Sequence, residues 1–131
     1  MPSQIASFAL CHSGRILLAL RTGLAMLDPG SGTHRFLAPP PYDVRTHRFN
    51  DGKCDRQGRF WISIMRKPIP GTEPKEDSSP RPLHVFDAAG LRPTSVQATT
   101  GNGLAWSPDS RTLYFTDTEE GLIRCFDFDP G

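Results

Sequence analysis

The chain has almost no charge of one sign to spare. Its 15 lysines and arginines meet 14 aspartates and glutamates, for a formal net charge of +1. That balance gives no electrostatic basis for binding nucleic acid or an anionic membrane, because phosphate binding needs a basic patch that releases counterions. No apolar run comes near the roughly 20 residues that span a bilayer. Met1 to Ala9 show neither a basic stretch nor a long apolar one, so no secretory signal is read there and a cytoplasmic location is expected. Cysteine is scarce and odd in number. Cys11, Cys54 and Cys125 lie far apart and outside any CxxC, which predicts three small buried hydrophobes in a reducing compartment rather than a disulfide or a thiolate metal site. Nucleophile and nucleotide signatures (GxSxG, HExxH, the P-loop, GxGxxG) are absent. The four histidines, His12, His34, His47 and His84, form no i, i+4 pair, which argues against tetrahedral zinc. His47 is expected as a surface residue at a strand entrance. Helical spacing of apolar residues is missing throughout.

What the chain does have is turn residues and short apolar runs. It contains 12 glycines and 13 prolines among 131 residues, and 37% of the chain is hydrophobic, a composition that suits one domain of short strands and tight turns. Ile16–Leu20, Gly23–Leu27, Phe60–Met65, Leu83–Phe86, Leu113–Thr116 and Leu122–Phe126 read as strands. The fold class is therefore all-β.

The strands recur in units. His12-Ser13-Gly14-Arg15, Arg56-Gln57-Gly58-Arg59 and Pro108-Asp109-Ser110-Arg111 are polar turns, each preceded by a short strand and followed by an apolar one. Each unit then ends on a hydrophobe and an aspartate: Leu27-Asp28, Phe86-Asp87 and Phe126-Asp127. The turn arginines are 44 and 52 residues apart, the longer interval containing a polar, proline-rich stretch over 66–82 that is expected to be an exposed loop insertion. A period of about 40–50 residues with about four short strands is the signature of a β-propeller blade, whose sheet must stack on a like sheet at each side. Residues 1–131 thus hold about three blades, whereas closed propellers have about four to eight. The expectation is one partial propeller domain, an incomplete ring with an apolar face open at either end.

Two polar segments stand at the entrances of first strands, Thr46 to Lys53 and Thr99 to Trp106. In a propeller the first strand of a blade is innermost and its entrance faces the mouth of the central channel. Asn102 lies between Gly101 and Gly103. Its amide oxygen is a hard donor suited to Ca²⁺, and the same tripeptide equally describes a plain left-handed turn. Arg48 offers a planar fork of donors to a carboxylate or sugar oxygen and Asn50 can donate and accept. A salt bridge at Arg48 and an Asx-turn at Asn50 are the structural alternatives.

The run from Arg48 to Arg59 resembles the RFNDGKxDxxGR segment of the SMP-30/gluconolactonase/LRE-like (regucalcin-like) family. Gly101-Asn102-Gly103-Leu104-Ala105-Trp106-Ser107-Pro108-Asp109, followed by Leu113 to Thr118, resembles that family's SNGLxWSxD and YxxDS pair. The resemblance runs over essentially the whole chain. It implies a six-bladed propeller with one divalent cation, Ca²⁺ or another such as Zn²⁺, at the channel mouth, and hydrolysis of small-molecule sugar lactones. It also implies Asn102 as a metal ligand and Arg48 and Asn50 as substrate-binding residues. The family's other two metal ligands, a glutamate before this segment and an aspartate after it, have no counterpart here. That aspartate is the expected general base, so the resemblance implies no catalytic residue in this chain, which is expected to be weak or inactive alone. An acid that helps bind substrate in the family is replaced, the region reading Met65-Arg66-Lys67-Pro68.

Two other readings compete with a piece of a lactone hydrolase. One is a non-catalytic interaction module that pairs with a second copy or a complementing chain through its open blade edges. The other is a degenerate partial gene product. A discrete dimer on size exclusion favours the module and soluble aggregate favours the partial product.

Overall fold

The computed structural model describes residues 3–67, 69–71 and 79–131. Those residues form three antiparallel sheets and no helix, hence none long and apolar enough to cross a membrane. The first sheet takes its strands in chain order: β1 (Ile5–Leu10), β2 (Ile16–Leu20), β3 (Gly23–Leu27) and β4 (His34–Ala38). The second follows the same rule with β5 (His47–Cys54), β6 (Phe60–Arg66), β7 (Arg81–Asp87) and β8 (Gly90–Ala98). The third has β9 (Gly101–Trp106), β10 (Thr112–Asp117) and β11 (Leu122–Asp127). The first strands of the three sheets lie side by side, β1 against β5 and β5 against β9. This is a partial propeller of two four-stranded blades and one three-stranded one.

The periodicity of β6 explains why the blades stack. Phe60, Ile62 and Ile64 turn toward the first blade and are buried with Leu17, Ala19, Leu24 and Phe49. Trp61 points the other way and is buried with Leu83, Val85, Ala98, Leu104, Leu113 and Phe115. Side chains alternate faces along a strand, so a strand covered on both faces must be apolar at successive positions. The outer face of the first blade follows the same pattern without a covering sheet among the described residues. Cross-strand register aligns Phe8, Leu18, Ala25 and Phe36 in one row, and Phe8 and Phe36 are more than half exposed, at 60% and 54%.

The repeated turn also has a structural counterpart. The amide of Gly14 donates to Cys11 O at 3.0 Å, that of Gly58 to Asp55 O at 3.1 Å, and that of Ser110 to Ser107 O at 2.9 Å. The three closing residues share a left-handed backbone, with φ of 79°, 79° and 58°. Ser110 holds that conformation without glycine's freedom. Its hydroxyl accepts from Arg56 Nη1 at 2.9 Å, and the same nitrogen reaches Pro108 O, so the second turn is tied to the third.

Several expectations need correction. The polar segments around Asn50 and Asn102 lie within β5 and β9, not ahead of them. The outermost strands β4 and β8 had no clear sequence signal. β8 contains Pro93, which an edge strand tolerates because no inner ladder bond is lost. Cys11 and Cys54 are half-buried and line a cavity of about 500 Å³ between the first two blades, but Cys125 is exposed. His47 is buried, with Nδ1 2.8 Å from Thr46 Oγ1, and is not a surface residue. The expected 66–82 loop is narrower than its sequence bounds, since β6 reaches Arg66 and β7 starts at Arg81. Lys67, Ile69, Pro70, Gly71, Ser79 and Pro80 are exposed, while position 68 and positions 72–78 lie outside the described residues.

Candidate functional site

Each innermost strand carries one extra residue near its start. In β1 the pairing with β2 jumps from Ile5 to Ser7 against consecutive partners. In β5 it jumps from Phe49 to Gly52 while β6 advances only from Ile64 to Ile62. In β9 it jumps from Leu104 to Asn102 opposite the consecutive Phe115 and Thr116. A bulge leaves a residue out of the ladder and re-aims the side chains beside it. Ala6, Asn50 and Asn102 each stand nine residues before the turn arginine of their unit. The repeat therefore puts an amide at the bulge of the second and third blades, and an alanine in the first.

Two glycines make room for this arrangement. A Cβ at Gly52 would lie 2.6 Å from Phe60 Cζ, 2.7 Å from Ile62 Cδ1 and 2.8 Å from Ser7 Oγ, where the first blade presses on the second. A Cβ at Gly101 would lie 2.5 Å from Ser63 Cβ and 2.7 Å from Phe115 Cζ. Asn50 Nδ2 donates to Gly101 O at 2.8 Å, and Ser63 Oγ donates to the same oxygen at 2.9 Å. Asn50 thus spans from β5 to β9, ending one residue from Asn102. The anticipated Asx-turn at Asn50 is replaced by this link between blades.

Arg48 is half-buried, and the salt bridge considered for it does not form among the described residues. Its Nη1 donates to Phe49 O at 3.0 Å, and its Nε is buried without a partner there. Burial lowers its pKa from the ordinary value, and the neighbouring Arg21 guanidinium lowers it further. Arg21 is held by backbone carbonyls, with Nε on Val44 O at 2.9 Å and Nη2 on Lys67 O at 2.6 Å. Between the two arginines stands Tyr42. Its hydroxyl donates to Arg21 O and accepts from Phe49 N, both at 2.8 Å, and its ring meets Phe49 edge-on at 5.2 Å. Burial pushes the Tyr42 pKa up to about 12, against the lowering effects of the Phe49 amide and both arginines. The phenol therefore keeps its proton and its role as donor.

Asn102 is exposed at the β9 bulge, its Oδ1 accepting from Gly103 N at 3.0 Å with Gly103 at a φ of 53°. Asp117, opposite Gly101 in the register, does not complete a ligand set with it. Its carboxylate accepts from Thr99 N at 2.8 Å and Thr100 N at 3.2 Å. Burial pushes the Asp117 carboxyl up, but these amides, with those of Glu120 and Glu119, outweigh it and hold the pKa below the usual value. Among the described residues no three His, Cys, Asp or Glu side chains gather to hold a metal. Ca²⁺ takes six to eight oxygens, and one neutral amide does not supply them. The residues in this chain do not by themselves fit the cation that the resemblance implies, and no step is derived through one.

Sequence reading missed Tyr42, Arg21 and Ser63. Ser63 had a signal, being the one hydroxyl inside an otherwise apolar strand segment, Phe60 to Met65. Tyr42 and Arg21 are polar residues in turns, and only the packing of the blades reveals their convergence on Arg48.

A profile of the SMP-30/Gluconolactonase/LRE-like region matches residues 1–131. A 6-deoxy-6-sulfogluconolactonase of Pseudomonas putida is 29% identical over 129 residues, covering 98% of this chain and 42% of that protein. An L-arabinolactonase of Azospirillum brasilense is 32% identical over 137 residues, covering 100% of this chain and 43% of that one. Among solved structures, a calcium-binding protein, regucalcin, from Agrobacterium tumefaciens superposes with a TM-score of 0.81 at 21% identity, over 98% of this chain and 41% of its own. The chain spans less than half the length of each of these proteins.

Proposed function

Because the chain belongs to the SMP-30/gluconolactonase/LRE-like family, we propose that it contributes three blades to a sugar-lactone hydrolase whose substrate sits on the N-terminal ends of β5 and β9. The observation that carries this reading is the hydrogen bond from Asn50 to Gly101 O, which joins the Arg48–Asn50 segment to Asn102. Arg48 directs its unused guanidinium donors at lactone or hydroxyl oxygens. Asn50, with its nitrogen committed, presents Oδ1 as an acceptor for a sugar hydroxyl. In hydrolysis water adds to the lactone carbonyl, the ring C–O bond breaks, and an open-chain hydroxy acid leaves. Fixed donors are most effective where negative charge grows on the carbonyl oxygen, and Arg48 is the donor available here. Asn102 lends one oxygen to a divalent-cation site whose remaining ligands lie outside this chain. Alone, the chain is weak or inactive. The apolar row from Phe8 to Phe36 supports the same reading, since it resembles the faces that the other blades bury against each other.

The test is an ¹⁵N NMR titration of the 131-residue chain with D-glucono-δ-lactam, a lactone mimic that resists hydrolysis. The expected result is shifts centred on Arg48, Asn50 and Asn102, lost in Asn50→Ala. Shifts elsewhere, or none at millimolar mimic, would refute the assignment.

A further inference from the structure

The corner beside Asn50 is built for negative charge. Four segments meet there: the turn after β2 (Arg21), the loop before β5 (Tyr42 and Val44), β5 itself (Arg48), and the end of β6 (Lys67). Their backbones are fastened to one another. Arg21 bonds to Val44 O and Lys67 O, Tyr42 bridges Arg21 O to Phe49 N, and Lys67 N donates to Thr46 O at 2.8 Å. Two guanidiniums are thereby held near each other although like charges repel.

The acids of this region do not offset them. Asp43, in the same loop as Tyr42, is engaged with Arg45 at 2.7 Å. Asp51 stands on the bulge three residues from Arg48, yet the groups acting on the Arg48 charge are Arg21 and Tyr42, with no carboxylate among them. A buried guanidinium nitrogen without a partner is costly unless something occupies it, and a guanidinium fork fits a planar or tetrahedral oxyanion at two oxygens.

We infer that the sugar bound here carries an anionic substituent, a sulfonate, phosphate ester or carboxylate, which docks on Arg48 with Arg21 behind it. The inference rests on the sugar-lactone reading above and narrows its substrate class. The substituent fills the open edge of Arg48 while Asn50 holds a hydroxyl on the same molecule. The tie through Tyr42 keeps the two arginines in place before the ligand arrives, so little ordering is required on binding.

The experiment compares 1,5-anhydro-D-glucitol, its 6-phosphate and inorganic phosphate as ligands of the 131-residue chain, by NMR titration at low and high salt. The sugar phosphate should bind at least about tenfold more tightly than the neutral sugar, as expected for a charge-assisted pair, and the preference should shrink at high salt. Arg48→Met should abolish the preference while keeping the Asn50 and Gly101 resonances in place. Arg48→Lys, which retains charge without the fork, should keep part of it. Equal binding of the two sugars, or a preference that survives Arg48→Met, would overturn the inference. Inorganic phosphate binding as tightly as the sugar phosphate would overturn it too, by showing a site for free anion. The lactam titration is independent of these arms. A chain that binds the lactam but shows no anion preference loses this inference alone, and one that ignores the lactam loses the lactone reading.

Discussion

Replacing Gly101 by alanine should damage the fold and the site together. The added methyl would lie 2.5 Å from Ser63 Cβ and 2.7 Å from Phe115 Cζ. Carbon atoms prefer a separation of about 3.5–4.0 Å, so β9 must retreat from β6 by roughly an ångström. Overpacking of this kind costs about 1–3 kcal/mol. The retreat also carries Gly101 O away from Asn50 Nδ2 and Ser63 Oγ, at 2.8 and 2.9 Å, and each such bond contributes about 1 kcal/mol net. The total is about 2–4 kcal/mol, because relaxation that relieves the clash is what loses the bonds. With a urea slope of about 2 kcal/mol/M, the unfolding midpoint should fall by about 1–2 M. Trp61 and Trp106 report on it by fluorescence, because they pack edge-to-face at 6.2 Å in the core that contains Phe115. Ser63→Gly removes one of the two clashing atoms and should recover about half the loss in the double variant, a coupling expected only of residues in contact. A Gly101→Ala midpoint within about 0.3 M of the parent, or a double variant whose losses simply add, would show that the tight approach between β6 and β9 is not what positions Asn50.

Two further outcomes follow from buried polar groups. Asp55 accepts from Gln57 N, Arg59 N, Arg59 Nε and Trp61 Nε1, at 3.0, 3.0, 2.6 and 2.9 Å, so Asp55→Ala should cost about 3–5 kcal/mol by stranding a buried arginine and indole. A thermal melt showing a loss below about 1 kcal/mol would contradict this. His84 is buried, and burial lowers its pKa from the ordinary value of 6.5, partly opposed by its bond to Pro82 O. The folded state therefore disfavours the charged ring. Its contribution to stability is complete above the unfolded value and is lost as pH falls from there through the depressed folded value. Urea midpoints should drop between about pH 7.5 and pH 5, and His84→Leu should flatten that slope. An unchanged slope in the variant would rule His84 out as the cause.

The legibility of the sequence followed the range of the interactions. Turns such as Asp55 to Arg59 are local, and their polar-turn pattern at repeating intervals revealed the blades. Strands covered on both faces, β2 and β6, were plain because a short run of consecutive apolar residues suits a strand with no solvent-facing side. The outermost strands β4 and β8 were not legible, since an edge strand needs neither alternation nor freedom from proline. Arg48, Asn50 and Asn102 stood out by motif, but their partners did not. Asn50 bonds to a carbonyl 51 residues away, and no local pattern encodes such a distance.

By itself, the amino-acid order determined that this chain makes stacked β-blades, because turn chemistry and side-chain alternation act within a few residues. Only tertiary structure decided that bulges in three neighbouring strands gather at one end and bring two amides together there. It alone decided that Tyr42 ties two arginines together and that no acid among the described residues neutralises Arg48. Those facts depend on how separate blades press against one another, where a glycine's missing methyl or one extra residue in a strand sets which groups meet.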